Sequence, residues 1–409
     1  MNGAPEGPLT GLVVFDLTRI LAGPSCTQIL GDLGAEIIKV ERPGAGDDTR
    51  NFAPPYLPKA DGEDSSESAY FAGTNRNKRS ITLNLSDERG QKIAHDLIAQ
   101  SDILVENFKT GTLDKYGLGF TDLHERYPNL IYCSVTGFGH TGPYADRPAY
   151  DALIQAMGGV MSLTGEPDGA PMKVGVSIAD LMSGMYATVA ILAAARHQQA
   201  TGRGQHLDIS MLDAHVAWLA NQGMNYLATN EAPPRLGNQH PNIVPYQVMP
   251  SADGHFVLSV GNDPTFARFC EAAQAPELLD DPRFATAVDR VRNRDDVTET
   301  LNELTRAHST DWWIDRLEAA KVGCGRINTL DQVFSDPQVQ ARGMVIEMPH
   351  PATDGRPAKI IASPLKLSET PVSYRRPPPL LGEHTEEVLA QYLALDAQAV
   401  KALRDDGVV

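Results

Sequence analysis

The 409-residue chain is poor in the features that mark many common functions. Its four cysteines, Cys26, Cys133, Cys270 and Cys324, lie far apart and form no C-x-x-C pair. That spacing excludes a disulfide frame. With no histidine cluster at ligand spacing, no metal site is expected either. Basic residues are also scarce: 35 Lys and Arg stand against 52 Asp and Glu, a formal charge of -17. Nucleic acid and anionic membrane surfaces are therefore poor partners, although an acidic protein can still hold a small anion in a locally basic pocket. The apolar run around Ala187 to Ala195 is too short and too alanine-rich to span a bilayer. Met1 to Leu9 has no basic segment followed by an apolar one. Together with the cysteines, this predicts a cytoplasmic protein. The patterns G-x-x-x-x-G-K-[ST], G-x-G-x-x-G after the first strand, H-E-x-x-H and G-x-S-x-G are all missing.

What the chain does have is an alternation of strand and helix signals over its first 150 residues. Leu12–Leu17, Ala35–Glu41, Ser80–Leu85, Asp102–Glu106 and Leu130–Val135 read as short buried strands. Helices are predicted from Gly23-Pro24 to Leu33 and from Asp87 to Gln100, the second capped by Ser86. Strands separated by helices of this length imply a parallel sheet with right-handed crossovers, an α/β, Rossmann-like layer. Pro43 to Arg79 is rich in Pro, Gly, Asp and Ser, and a loop this long is usually functional or mobile. Residues 172–215 read as helical with a break near Thr201–Gln205. Residues 216–250 read as a linker and 251–334 as a smaller α+β domain.

One carboxylate stands apart. From Val174 to Tyr186 a short β-rich run turns into a long helix of small apolar residues, with Asp180 at the turn. An aspartate there, ionised at neutral pH from a reference pKa of ~3.9, can act as a nucleophile. A helix N-terminus would favour its charge. The same residue can simply cap the helix, the commoner use of aspartate in that place. Gly23-Pro24 has a similar ambiguity, between an anion site at a helix N-terminus and a proline that merely starts a helix.

The order of several short motifs resolves these readings by resemblance. They are Asp16-Leu17-Thr18-Arg19-Ile20-Leu21-Ala22-Gly23-Pro24, Ala35 to Pro43, Asn77-Lys78-Arg79-Ser80-Ile81, Val105-Glu106-Asn107-Phe108, Ser134 to Gly139, Tyr150-Asp151, Thr201 to Gln205 and Leu380 to Thr385. In this order and spacing the chain resembles a class III CoA-transferase over nearly its whole length. This is the family of formyl-CoA transferase and carnitine CoA-transferase, which also contains α-methylacyl-CoA racemase. The resemblance implies interlocked, ring-shaped subunits in a homodimer. It also implies a large domain of residues 1–215 completed by 335–409, a CoA thioester and a carboxylic acid as substrates, and no tightly bound cofactor. Asp180 takes the position of the nucleophile, which passes through an aspartyl anhydride and an aspartyl-CoA thioester.

The resemblance also implies a set of contacts. Leu21 and Ala22 lie beside the pantetheine and Arg42 near the adenosine phosphate. Leu83, Asn84, Leu85, Ser86 and the turn Asn107-Phe108-Lys109 line the nucleotide. Lys115 stands where arginine is frequent, which keeps the charge but loses the two-pronged fork. Arg147 and Tyr150 approach the thioester, with Asp151 as the acidic neighbour of the active site. For Arg42, Lys109 and Lys115 the plain alternative is a solvated surface charge. Leu21 replaces the glutamine of the formyl-CoA:oxalate branch. Tyr150 replaces the acid/base histidine of the racemases, and a phenol with a pKa of ~10 suits that task poorly. The loop Asn238–Gln247 resembles the branch that acts on dicarboxylates. There Asn238 and His240 either hold the acceptor's distal carboxylate or belong to a polar linker. The competing readings are a racemase-type isomerase and a non-catalytic CoA-binding protein. Trp312-Trp313 and His384 read as small-domain core and helix cap.

Overall fold

Short aliphatic runs form the strands of a six-stranded sheet in a computed structural model that describes residues 7–409. The expectation about a leader, drawn from Met1 to Leu9, falls largely outside those residues. In chain order the strands of the first unit are β1 (Val13–Asp16), β2 (Glu36–Glu41), the small hairpin β3 (Tyr56–Pro58) and β4 (Asp64–Ser68), β5 (Lys78–Thr82), β6 (Ile103–Glu106), β7 (Ile131–Thr136) and β8 (His206–Ser210). The main sheet runs β5-β2-β1-β6-β7-β8, and every neighbouring pair in it is parallel. Helices α1 (Ala22–Asp32) and α2 (Glu88–Ile98) make two of the crossovers.

A parallel sheet is covered on both faces, so its central strands are apolar almost without interruption. Successive residues then feed opposite cores. Val14, Ile37 and Ile103 join Leu30 and Ile191 on one face, while Phe15, Ile38 and Leu104 join Leu97, Val388 and Val408 on the other. The strand order reverses between β1 and β6. The chain leaves β1 through α1 towards β2 and comes back through α2 to β6 on the other side. At such a reversal the loops after the two strands diverge and leave a crevice at the carboxyl edge of the sheet.

The helices α3 (Asp151–Met157), α4 (Ile178–Thr201) and α5 (Met211–Ala217) complete the part of the unit that matters below. The 24-residue α4 is long and apolar enough to cross a membrane by length and composition, which the Ala187–Ala195 run alone does not suggest. Half of its most apolar window is buried, largely against α1, α5 and β7.

Contact clustering gives a first unit of residues up to Gly158, Gly175–Trp218 and Gln338–Val409, and a second of Gly159–Val174 and Leu219–Pro337. The second unit has an antiparallel sheet of β9 (Tyr246–Pro250), β10 (His255–Ser259) and β11 (Gly323–Arg326). Its core holds Phe256, Phe266, Phe269, Phe284 and Trp313, and the Trp313 indole N–H donates to the Thr305 carbonyl at 2.7 Å. Trp312 packs at the edge of that core, stacked on His308.

These boundaries differ from the expected ones. Residues 216–250 carry a helix (Ala220–Thr229) and a strand rather than a bare linker. Gly159–Val174 groups with the second unit, and Arg235 of that unit donates to the carbonyls of Glu166 (3.2 Å) and Gly169 (2.6 Å). The break expected at Thr201–Gln205 is followed by a strand, β8, and not by more helix. Gly202, at φ 71°, ends α4 in the left-handed conformation that glycine takes without cost. The cap of α2 is Asp87, which accepts from the Arg89 amide, while the Ser86 amide donates to Asn84 Oδ1.

Candidate active site

The candidate cleft is built where α4 begins. Its N-cap position is Ser177, with no side-chain bond to the helix amides, so Asp180 is the third helical residue and not the cap. Asp151 does the capping, from the first turn of α3. Its Oδ1 accepts from the Ala179 amide at 2.9 Å and its Oδ2 accepts from Gln155 Nε2 at 2.7 Å. With the helix amide satisfied by another carboxylate, that of Asp180 is left to face the cleft. No described residue donates a hydrogen bond to it.

The cleft measures about 330 Å³ and lies at the reversal point of the sheet. Its walls come from Arg19, Ile20 and Ala22 after β1, from Asn107 to Thr110 after β6, from Thr136 and Gly137 after β7, and from Arg147 to Asp151, with Asp180 and Met211. Gly184, one turn beyond Asp180, lets α1 come close. A Cβ there would sit 2.2 Å from Ser25 Oγ and 2.6 Å from the Ala22 carbonyl oxygen. The N-termini of α1 and α4 therefore meet at this wall, and among the described residues no side chain caps the first amides of α1.

Electrostatics correct one expectation. The aspartate was expected to be fully ionised. Burial, followed by the nearby Asp151 carboxylate, instead pushes Asp180 up to about 7. Tyr70, hydrogen-bonded to Ser177, is raised by its own burial and by the charges of Asp180 and Asp151. Asp180 is a carboxylate near its titration midpoint at neutral pH, hence more basic and more nucleophilic when ionised than a solvated one.

A second cavity of about 230 Å³ lies on the other side of Arg19 and Phe108, which line both. Arg42, Leu83, Asn84, Leu85 and Ser86 come together in its walls, with Glu41, Asp47 and Tyr116. The two cavities place most of the expected contacts in one or the other. Ala22, Asn107, Lys109, Arg147, Tyr150 and Asp151 surround the Asp180 cleft. Leu21, the N-cap residue of α1, lines neither cavity. Lys115 is exposed outside both, and its neighbour Tyr116 occupies the wall. Asn107 is anchored to the turn after β1, accepting from the Arg19 amide (2.9 Å) and donating to the Arg19 carbonyl (2.7 Å), which leaves one Nδ2–H uncommitted. Asn238 and His240 belong to the second unit, where His240 Nδ1 accepts from the Asn242 amide at 3.1 Å. That bond fixes the neutral tautomer and leaves Nε2–H as a donor. His384 stands at the N-cap position of the Thr385–Leu393 helix without a side-chain bond to it.

Arg19 was missed as a residue of the cavity walls, and Tyr70 as a charge-sensing neighbour of Asp180. Arg19 stands inside the motif Asp16–Pro24, but nothing local says that it faces two cavities. Tyr70 lies in the Pro- and Ser-rich segment after Pro43, where it opens a short helix (Ala69–Ala72). No group of His, Cys, Asp or Glu able to hold a metal ion occurs among the described residues.

Comparison with known proteins gives the family of the chain. The model of CoA-transferase family III matches residues 9–385. Succinate–glutarate CoA-transferase of Agrobacterium fabrum is 46% identical over 96% of this chain and 97% of its own length. Human succinyl-CoA:glutarate CoA-transferase is 42% identical over 98% and 90%. A CaiB/BaiF family protein from Brucella suis has a crystal structure that superposes with a TM-score of 0.83, at 45% identity, covering 95% of this chain and 100% of that one. Sequence, fold and relatives agree from end to end, and the chain belongs to CoA-transferase family III as a CoA-transferring enzyme of the class III type.

Proposed function

We propose that this enzyme moves CoA between dicarboxylic acids, succinyl-CoA and glutarate being the pair favoured by its relatives' names, through covalent intermediates on Asp180. The observation that supports this most is the unengaged Asp180 carboxylate in the cleft, its place at the helix start already capped by Asp151. An Asp180 oxygen attacks the thioester carbonyl and the C–S bond breaks, giving a mixed anhydride and CoA thiolate. The thiolate attacks the aspartyl carbonyl and releases the donor acid, leaving an aspartyl-CoA thioester. The acceptor carboxylate then displaces the thiolate, forming a second anhydride. Attack of the thiolate on the acceptor's acyl carbon gives the new acyl-CoA and returns Asp180 as a carboxylate. Each step moves charge onto a carbonyl oxygen, and the uncapped first amides of α1 are suitable donors for it. Holding carboxylate, thiolate and acceptor together supplies the rest.

Tyr150 at the cleft, in place of an imidazole, supports transfer over racemisation. Asn238 and His240 are our candidates for the acceptor's distal carboxylate. Exposed Leu181, Met185, Val189 and Leu192 form an apolar stripe along α4 that supports a dimer of interlocked rings, and a monomeric mass by light scattering would count against it. Four free thiols, three of them buried, suit a reducing compartment, and fractionation of cells with the tagged protein tests the cytoplasm. The deciding experiment is exchange of labelled succinate into succinyl-CoA. Wild type is expected to catalyse it and Asp180→Ala to abolish it. Exchange that survives in Asp180→Ala removes the covalent route.

A further inference from the structure

The turn between β1 and α1 contains a residue in a conformation that its side chain resists. Ile20 has φ 70°, in the left-handed region, where a β-branched residue is a true outlier. Strain of this kind persists only where the surroundings over-determine it, and it concentrates at functional sites. Ile20 lines the Asp180 cleft.

The surroundings do over-determine it. Lys39 Nζ donates to the Thr18 carbonyl at 3.0 Å. Asn107 holds both the amide and the carbonyl of Arg19. Asp47 Oδ1 accepts from the Ile20 amide at 3.2 Å. Lys39 and Asp47 are themselves paired at 2.9 Å with no side-chain surface exposed, and Thr49 fixes Asp47 through its amide (3.0 Å) and hydroxyl (2.8 Å). A fully buried ion pair is poor evidence of stabilisation, since apolar residues often do as well in its place. This pair instead fixes two residues of one turn, Thr18 and Ile20, on either side of the Arg19 that Asn107 holds and directly before the uncapped start of α1.

We propose that Lys39 and Asp47 are positioning residues for CoA transfer: with Asn107 they clamp Ile20 in its left-handed conformation and so fix the first turn of α1 against Asp180. Neither touches the reacting atoms. They act through the backbone of Thr18 to Leu21, which sets where Ala22 enters the cleft. The inference rests on transfer through Asp180.

The test is a double-mutant cycle in kcat, at saturating succinyl-CoA and glutarate, over wild type, Asp47→Asn, Ile20→Gly and the double variant. Asp47→Asn alone is expected to lower kcat about tenfold or more, since small misplacements cost that much. In the Ile20→Gly background the same change is expected to cost less than about threefold, because glycine takes the left-handed conformation unaided. Equal losses in both backgrounds overturn the proposal, and so does full activity of Asp47→Asn. A measurement on wild type is independent of how the variants fold. Hydrogen exchange followed by mass spectrometry is expected to show the Arg19 and Ile20 amides protected about a thousandfold or more, and exchange at the free-peptide rate also overturns the clamp. Absence of any transfer by wild type would defeat the transfer reading instead, with the exchange result still reporting on the turn.

Discussion

Replacing Asp180 with asparagine is expected to abolish CoA transfer and, at the same time, to make the protein more stable at pH 8. Asp180 is pushed up to about 7 in the folded protein from an ordinary 3.8. An acid with a raised folded pKa favours folding in its protonated form. Its stability is therefore complete below about pH 4, is lost as pH rises from there to about 7, and changes no further above 7. The span is about 3 pH units at 1.36 kcal/mol each, an upper bound of about 4 kcal/mol. Part of the side chain is open to the cleft, and solvent screening reduces the figure to about 1–2 kcal/mol. Asparagine has nearly the same shape and no charge, so the variant escapes the loss. Urea unfolding of both proteins at pH 5 and pH 8 measures the effect. The advantage of Asp180→Asn is expected to be small at pH 5 and two- to threefold larger at pH 8, since the loss grows from the unfolded pKa only as far as the folded value of about 7. An advantage that is equal at both values, or a variant less stable than wild type at pH 8, would refute the electrostatic account of the site.

Three further outcomes are expected. The kcat/KM for acyl-CoA is expected to fall about tenfold per unit below pH 7, as Asp180 protonates. Asp151→Asn keeps an oxygen for the Ala179 amide but removes a negative neighbour, so that limb is expected to move to lower pH and leave the variant about threefold faster than wild type at pH 6, relative to each protein's plateau. An unmoved limb would show that burial alone raises Asp180. Asn238→Ala and His240→Ala are expected to raise KM for glutarate about tenfold or more each while leaving KM for succinyl-CoA near its wild-type value. Unchanged glutarate KM values would make the loop a linker, and oxalate accepted as readily as glutarate would remove the dicarboxylate preference.

The parts of the fold most legible in the chain are those where burial leaves the residues no choice. β1, β6 and β7 are covered on both faces and read as mainly apolar runs, and β2 does so on either side of the buried Lys39. β8 is an edge strand, His-Leu-Asp-Ile-Ser, whose polar alternation blends into the helices on either side. The role of Asp180 was ambiguous for a different reason. Capping is decided by which carboxylate reaches the helix amides, and the one that does so lies 28 positions before Ala179. No local window contains both. The resemblance pointed to Asp180 as the candidate nucleophile, but the spatial sorting of the expected contacts came from the sheet. Arg19 faces two cavities because it follows the strand at the reversal point, whereas Lys115, which carries the same sign of charge, points away.

The return of residues 338–409 to the first unit has a consequence for the order in which the polypeptide folds. The outer strand β5 and the segment after it are tied down by residues about three hundred positions downstream. The His384 amide donates to the Ser80 carbonyl, Thr385 Oγ1 accepts from the Thr82 amide, and the Asn84 amide donates to the Val408 carbonyl. Closing so long a loop costs little more at equilibrium than closing a short one, but contacts of this range form slowly. During synthesis the second unit, inserted in sequence between the pieces of the first, emerges complete while β5 still has a bare edge. Such an edge invites pairing with other chains. Leu83 to Ser86, which wall the cavity beside Arg42, gain their last support when Val408 arrives. The walls of this cavity are among the last parts of the chain to be secured as it folds.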